Sequence, residues 1–183
     1  MMTIGHSTLR LEVFIQALKD NGCRLLIDVR TIPRSRHNPQ FEQPTLFTAL
    51  EAAGITPVWR KALGGRRSTR RASINRGWRN TSFRGYADYM QTPEFYAQID
   101  WLMGLPGLDA TAMMCAEAVP WRCHRSLIGD AVLARGGTVE DIFVPANGHS
   151  FRKPHELTKF ARIEGGRLWY PSPEEEANPP LFD

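Results

Sequence analysis

The segment Leu25-Leu26-Ile27-Asp28-Val29 is apolar on consecutive positions rather than alternate ones, and it is too short for a buried helix. A run of that kind reads as a strand covered on both faces, the signature of a parallel sheet between two layers of helices. Similar short runs recur at Thr3-Ile4, Thr56 to Trp59, Ala110 to Cys115 and Val139 to Val144. Helical stripes lie between them. Leu11, Phe14, Ile15 and Leu18 share one face, and Leu46, Leu50 and Ala53 mark a second helix. Thr92-Pro93 opens a third, with Phe95, Ile99, Leu102 and Met103 on its buried side. Pro120 opens a fourth, with Cys123, Leu127 and Ala131 on one stripe. Gly22, Gly54 and Gly136 stand where three of these helices should stop.

The expected fold is therefore α/β and three-layered, with a mainly parallel five-stranded sheet and helices on both faces. Residues 161–170 predict a C-terminal hairpin turning at Gly165-Gly166. The length of 183 residues suits a single domain, taken as 1–170, followed by a flexible Pro-rich acidic tail at 171–183.

No apolar stretch reaches the roughly 18 residues that a membrane span needs. The start, Met-Met-Thr-Ile-Gly-His-Ser, has neither the basic region nor the apolar run of a signal peptide. Three cysteines, Cys23, Cys115 and Cys123, form an odd set better suited to reduced thiols. These features together predict a cytoplasmic protein. The formal net charge is only +4, but its distribution is uneven. From Trp59 to Arg84 there are nine basic residues and no acidic one. That block predicts an anionic partner: phosphate, nucleotide or nucleic acid.

In open parallel sheets, ligands bind at the carboxyl ends of strands. Three polar clusters fall there. His6-Ser7 follows the first strand. Asp28 and Arg30 close the second and lead into Arg34, Arg36 and Asn38. Cys115 and Glu117 follow the fourth. Glu117, Asp28 and His6 are the candidates for acid–base chemistry. Cys115 reads either as a reactive thiol before a helix N-terminus or as a small buried hydrophobe. His124 and Arg125 lie at the next helix start, where an anion is favoured. Arg125 either forks onto a phosphate or carboxylate, or pairs structurally with Glu117 or Asp28.

Cys115, Glu117, Cys123 and His124 are all able to ligate metal, but their spacing matches no Cys-x-x-Cys or His-Glu-x-x-His pattern. No metal or cofactor is expected on that ground. A phosphatase-type Cys-x5-Arg loop fails as well, because the arginine after Cys115 is Arg122.

The basic block offers Arg66, Arg67, Arg70, Arg71, Arg76 and Arg79 around Trp78, a mixture suited to phosphate contacts and base stacking. It spans a long stretch, Gly64 to about Ser82, that reads as irregular. The final Leu181-Phe182, with Asn178 where a Gln usually leads, is similar to the peptide that docks bacterial proteins onto the DNA sliding clamp.

Six ordered blocks resemble the domain of unknown function family 488. They are Thr3-Ile-Gly-His-Ser-Thr8; Asp28-Val-Arg30 with Pro33-Arg-Ser-Arg-His-Asn38; Leu63-Gly-Gly65; Gly77-Trp-Arg-Asn80; Ser82-Phe-Arg-Gly-Tyr-Ala-Asp-Tyr-Met90; and Cys115-Ala-Glu117 with Cys123-His-Arg125. The resemblance runs from residue 3 to about 145, with an echo through Tyr170. It implies a compact α/β domain and no particular activity. Its blocks bring Arg84 and Tyr86 into the candidate set beside the strand-end residues.

Three functions fit these observations. One is an enzyme acting on a phosphate-bearing substrate, with His6, Asp28 and Glu117 as acid–base groups and Arg30, Arg34, Arg36, Arg84 and Arg125 as anion ligands. Another is a non-catalytic nucleic-acid or nucleotide-binding module. An interaction scaffold whose polar blocks are structural is a third.

Overall fold

The computed structural model describes residues 1–173. In chain order the elements are β1 (Met2–Gly5), α1 (Leu11–Asp20), β2 (Leu25–Asp28), α2 (Gln43–Ala52), β3 (Thr56–Trp59), α3 (Thr81–Tyr89), α4 (Pro93–Met103), β4 (Thr111–Cys115), α5 (Arg125–Ala134), β5 (Glu140–Phe143), β6 (Phe151–Pro154), β7 (Arg162–Glu164) and β8 (Arg167–Trp169). Six strands form one sheet in the order β3-β2-β4-β1-β5-β6, and β7 and β8 form a separate hairpin.

Alternation along the strands builds two cores. Met2, Ile4, Leu26, Ala112, Met114 and Ile142 pack in one core with Phe14, Ala17 and Leu18 of α1 and Leu46 and Leu50 of α2. Ile27, Val29, Met113 and Cys115 belong to the other, with Tyr86, Phe95, Ile99, Leu102 and Leu127 from α3, α4 and α5. The three-layer α/β arrangement expected from the apolar runs is thus present.

The connections leave β1 and β4 in opposite directions. From β1 the chain crosses to β2 on one side; from β4 it crosses to β5 on the other. Right-handed crossovers in opposite senses put their helices on opposite faces, which opens a crevice at the carboxyl ends of the two strands. Gly5 pairs with Cys115 in this register, so the residues after each strand enter the crevice together.

Two elements were not expected. β6 adds a sixth strand, antiparallel to β5. It is exposed throughout, so it lacks the apolar pattern that marks the other strands; its Lys153 and Pro154 suit a sheet edge that must not recruit further strands. α3 starts at Thr81, inside the stretch read as irregular, and continues beyond it to Tyr89. The Asn80 side chain caps this helix by accepting from the Ser82 and Phe83 amides. The C-terminal hairpin turns as expected at Gly165 (φ 53°) and Gly166 (φ 79°), two successive positive values that glycine adopts without strain.

Pro171 is buried, and the Gly77 amide donates to the Tyr170 carbonyl at 2.9 Å, so the packed domain reaches at least to residue 171. The expected tail and its Leu181 and Phe182 lie otherwise outside the described residues. Among the described residues no helix is long and apolar enough to cross a membrane.

Candidate functional site

The crevice between β1 and β4 is a cavity of about 830 Å³. Nine of the expected residues line it: His6, Ser7, Arg30, Arg34, Asn38, Arg66, Cys115, Glu117 and His124. Arg122 and Cys123 line it too, although sequence reasoning gave neither a role in the site. Asp28, Arg36, Arg84, Tyr86 and Arg125 are absent from its walls.

One wall is a fixed ion pair. Asp28 and Arg30 are two apart on an extended segment, so their side chains lie on the same side and meet each other. Arg30 Nη2 donates to Asp28 Oδ2 at 2.6 Å, and Nε donates to both carboxylate oxygens, at 2.9 and 3.1 Å. Nη1 donates to the Phe41 carbonyl at 2.8 Å and reaches His6 Nε2 at 3.3 Å. A guanidinium can only donate, so His6 Nε2 accepts and Nδ1 carries the proton, which it gives to the Ser7 carbonyl at 2.9 Å. The ring also stacks on Phe41 at 4.2 Å. Burial pushes the His6 pKa down to about 4, with Arg30 adding to the effect against the Ser7 hydrogen bond. His6 is therefore a neutral imidazole in the wall. Asp28 is fully buried and committed to Arg30, and it orients that side chain rather than meeting a substrate.

Arg125 is among the largest fully buried side chains, and it binds neither Glu117 nor Asp28 through a carboxylate. Its Nη1 and Nη2 donate to the backbone carbonyls of Glu117 and Ala118, and Nε donates to Thr3 Oγ1. The fork thus shapes the loop after β4. Gly5 packs against the same loop so closely that a β-carbon there would collide with the Glu117 carbonyl. The result leaves the Glu117 side chain exposed at the cavity. The expected anion site at the start of α5 is not free either. The Ser126 and Leu127 amides already donate to the Cys123 and His124 carbonyls, both at 3.0 Å. Tyr86 is also structural: its hydroxyl donates to the Leu63 carbonyl at 2.9 Å, and its ring props His124 at 5.0 Å. Arg84 Nε donates to the Trp78 carbonyl at 2.9 Å.

The floor holds Cys115, Cys123 and His124. A short 3-10 turn at Pro120–Arg122 folds the chain back after β4 and brings the last two beside the first. His124 Nε2 lies 3.1 Å from the Val29 carbonyl, which accepts its proton. Nδ1 is then the ring atom turned toward the thiols, 3.9 Å from Cys115 Sγ and 3.7 Å from Cys123 Sγ. The three donor atoms lie within 4.8 Å of one another. The two thiols are shifted in opposite directions. A hydrogen bond from Cys123, aided by His124 and Arg125, holds Cys115 well below the usual thiol range despite its burial. Burial and the Cys115 charge push Cys123 well above it. Gly65 covers this corner: a β-carbon there would collide with His124 Nδ1, so the close approach of Leu63-Gly-Gly65 is a packing requirement.

Ser7 is the one described non-glycine residue with positive φ, at 46°, and it sits on the cavity wall. Its amide donates to the Ala116 carbonyl at 2.8 Å, which fixes that turn beside the loop of Glu117.

The basic block divides in two. Arg67 is tied in place, stacked on Tyr89 at 3.5 Å and donating to the Gly64 and Ala62 carbonyls. Trp78 is no free stacking face, because Phe83, Phe160 and Tyr170 already surround its ring. Arg66, Arg70, Arg71, Arg76 and Arg79 are exposed, and of these Arg66 reaches the cavity. The loop itself is anchored on buried Asp88, which accepts from the Arg70 amide, the Ser73 hydroxyl and the Asn75 amide group.

The family model described as domain of unknown function DUF488 matches residues 10–132. The chain belongs to the DUF488 family. The matched span includes β2, β4, the floor residues and the start of α5, and so most of the cavity. No curated protein and no solved structure matches the chain.

Proposed function

We propose that this DUF488 protein is an enzyme acting on a phosphate-bearing substrate, a nucleotide or nucleic acid, bound in the crevice between β1 and β4. One observation carries the reading. Four guanidinium-bearing residues, Arg30, Arg34, Arg66 and Arg122, line a single cavity together with Glu117, Cys115 and His124. Arginine is suited to forked contacts with phosphate oxygens. Arg34, Arg66 and Arg122 are exposed and able to meet an incoming anion, while Arg30 is held by Asp28. Glu117 is the acid–base group with access to substrate. His6 acts as a neutral polar contact rather than a proton carrier. The exposed arginines beyond Arg66 extend the positive surface away from the cavity, which favours a polyanion such as single-stranded nucleic acid over a small phosphate ester. Three cysteines outside any disulfide suit a reducing compartment such as the cytoplasm.

The test is turnover of a panel of nucleotides and short oligonucleotides by the purified chain, compared with Glu117→Gln. Catalysis lost by a factor of about 100 or more in the variant, with binding retained, is the expected result. If the panel binds with salt dependence but nothing turns over, the non-catalytic binding module replaces the enzyme. If the panel neither binds nor reacts, the reading fails.

A further inference from the structure

We propose that Cys115, Cys123 and His124 form a three-ligand site for a thiophilic divalent metal such as zinc, with its open position facing the cavity. The inference stands apart from the substrate reading, because it concerns only these side chains and the ion.

The geometry is close to what a tetrahedral ion demands. Zinc–sulfur and zinc–nitrogen bonds of about 2.3 and 2.0–2.1 Å at tetrahedral angles set sulfur–nitrogen separations of about 3.6 Å. The two observed separations are 3.7 and 3.9 Å. These are longer than strong hydrogen bonds and near the spacing imposed by a shared ion. All three donor atoms lie within 4.8 Å of one another, and a tetrahedral ion sets the sulfur–sulfur separation at about 3.8 Å, so closure of the two thiols by up to about 1 Å completes the site.

The surroundings supply what metal ligands need. A ligating histidine normally donates its second ring N–H to a carbonyl or carboxylate, which fixes the tautomer. His124 does so through Nε2 to Val29, and this leaves Nδ1 toward the two sulfurs. Gly65 leaves open the space beside Nδ1 that any side chain would fill. Two thiolates and an imidazole select zinc-like ions over magnesium or calcium. Three protein ligands with one side open match the pattern of reactive rather than structural zinc sites. All three residues line the cavity, so the fourth position belongs to water, substrate or the Glu117 carboxylate. The spacing argument against a metal misses this site because the 3-10 turn, not a short motif, brings Cys123 and His124 to Cys115.

The experiment loads the full chain, reduced and free of oxygen, with zinc or cobalt(II) alone. One ion per chain is expected, and the cobalt form should show thiolate-to-cobalt charge transfer and the intense visible bands of four-coordinate geometry. Cys115→Ser, Cys123→Ser and His124→Ala should each weaken zinc at least about 10-fold, the effect that outer-shell partners alone command. Asp130→Asn, in a separate buried network, should leave metal affinity unchanged. Circular dichroism identifies any variant that does not fold, and the wild-type cobalt spectrum decides the matter without variants. Less than stoichiometric uptake, or a cobalt spectrum without thiolate charge transfer, would each overturn the proposal.

Discussion

Two buried polar clusters lie on the same face of the sheet and are built on opposite principles. One joins His155, Asp130, Asp141, Tyr170 and Thr3. His155 bridges the two carboxylates, with Nδ1 2.8 Å from Asp141 and Nε2 3.2 Å from Asp130. The Tyr170 hydroxyl donates to Asp130 at 2.8 Å and the Thr3 hydroxyl donates to Asp141 at 2.5 Å. The other cluster is Cys115, Cys123 and His124, whose contacts with one another are loose and which opens on the cavity. The first cluster is closed and short-bonded, and it ties α5 and β5 to the segment before the C-terminal hairpin. The second keeps three donor atoms within 4.8 Å of one another. Completed hydrogen bonding marks the cluster that holds the fold, and the loosely bonded cluster is the one proposed above to take a ligand.

Breaking the closed cluster should produce the largest stability effect. Asp130→Ala removes the acceptor for His155, Tyr170 and the Thr158 amide and leaves a buried imidazolium short of a partner. A loss of about 3–5 kcal/mol in denaturant unfolding is expected, with metal and anion binding unaffected whenever the chain is folded. Little change in unfolding would show that the network is no scaffold.

The same cluster gives a pH signature. Burial disfavours charge on His155, but hydrogen bonds and charge from Asp130 and Asp141 outweigh it and raise the pKa to about 9. Because the folded value lies above the ordinary 6.5, His155 contributes stability that is complete below pH 6.5 and is lost as pH rises through about 9. Unfolding free energy should fall by about 2–4 kcal/mol over that window, and the fall should disappear in His155→Gln. A flat profile would mean that the imidazole is neutral in the fold.

The open cluster should respond the other way. Cys123→Ser is expected to cost only about 1–2 kcal/mol of stability, while metal uptake collapses. A variant that melts as early as Asp130→Ala would place Cys123 among the structural residues. Smallest of all, Arg71→Ala should change stability by less than about 0.5 kcal/mol and weaken oligonucleotide binding modestly, with a shallower salt dependence. An unchanged salt slope would remove that side chain from the anion surface.

The legible part of the fold was the part written in periodicity. Leu25 to Val29 and Ala110 to Cys115 are buried in succession because both faces of the sheet are covered, and Gly165-Gly166 marks its turn through positive φ. β6 was not legible, since an exposed edge strand carries no apolar pattern. α3 was readable in principle: Phe83, Tyr86, Ala87 and Met90 fall at helical spacing after the Asn80 cap, but the arginines around them drew the eye to charge. In the site, a cavity lies at the strand ends that the sequence pointed to, while several of the candidate side chains are buried in structural contacts. Asp28 looked like an acid and is a clamp for Arg30; Arg125 was open between an anion ligand and a structural pairing with a carboxylate, and it braces the loop of Glu117 through backbone carbonyls. Burial and backbone carbonyls decided both cases, and neither is written in local sequence.

The most direct test of the cavity as the working site is calorimetric titration of a short single-stranded oligonucleotide into the wild-type chain and into Arg34→Glu/Arg66→Glu, at two salt concentrations. Both arginines are exposed, so the fold should survive the change. Binding that weakens with salt in the wild type and falls at least about 10-fold in the variant is the predicted result. Equal affinity in the two proteins would contradict it.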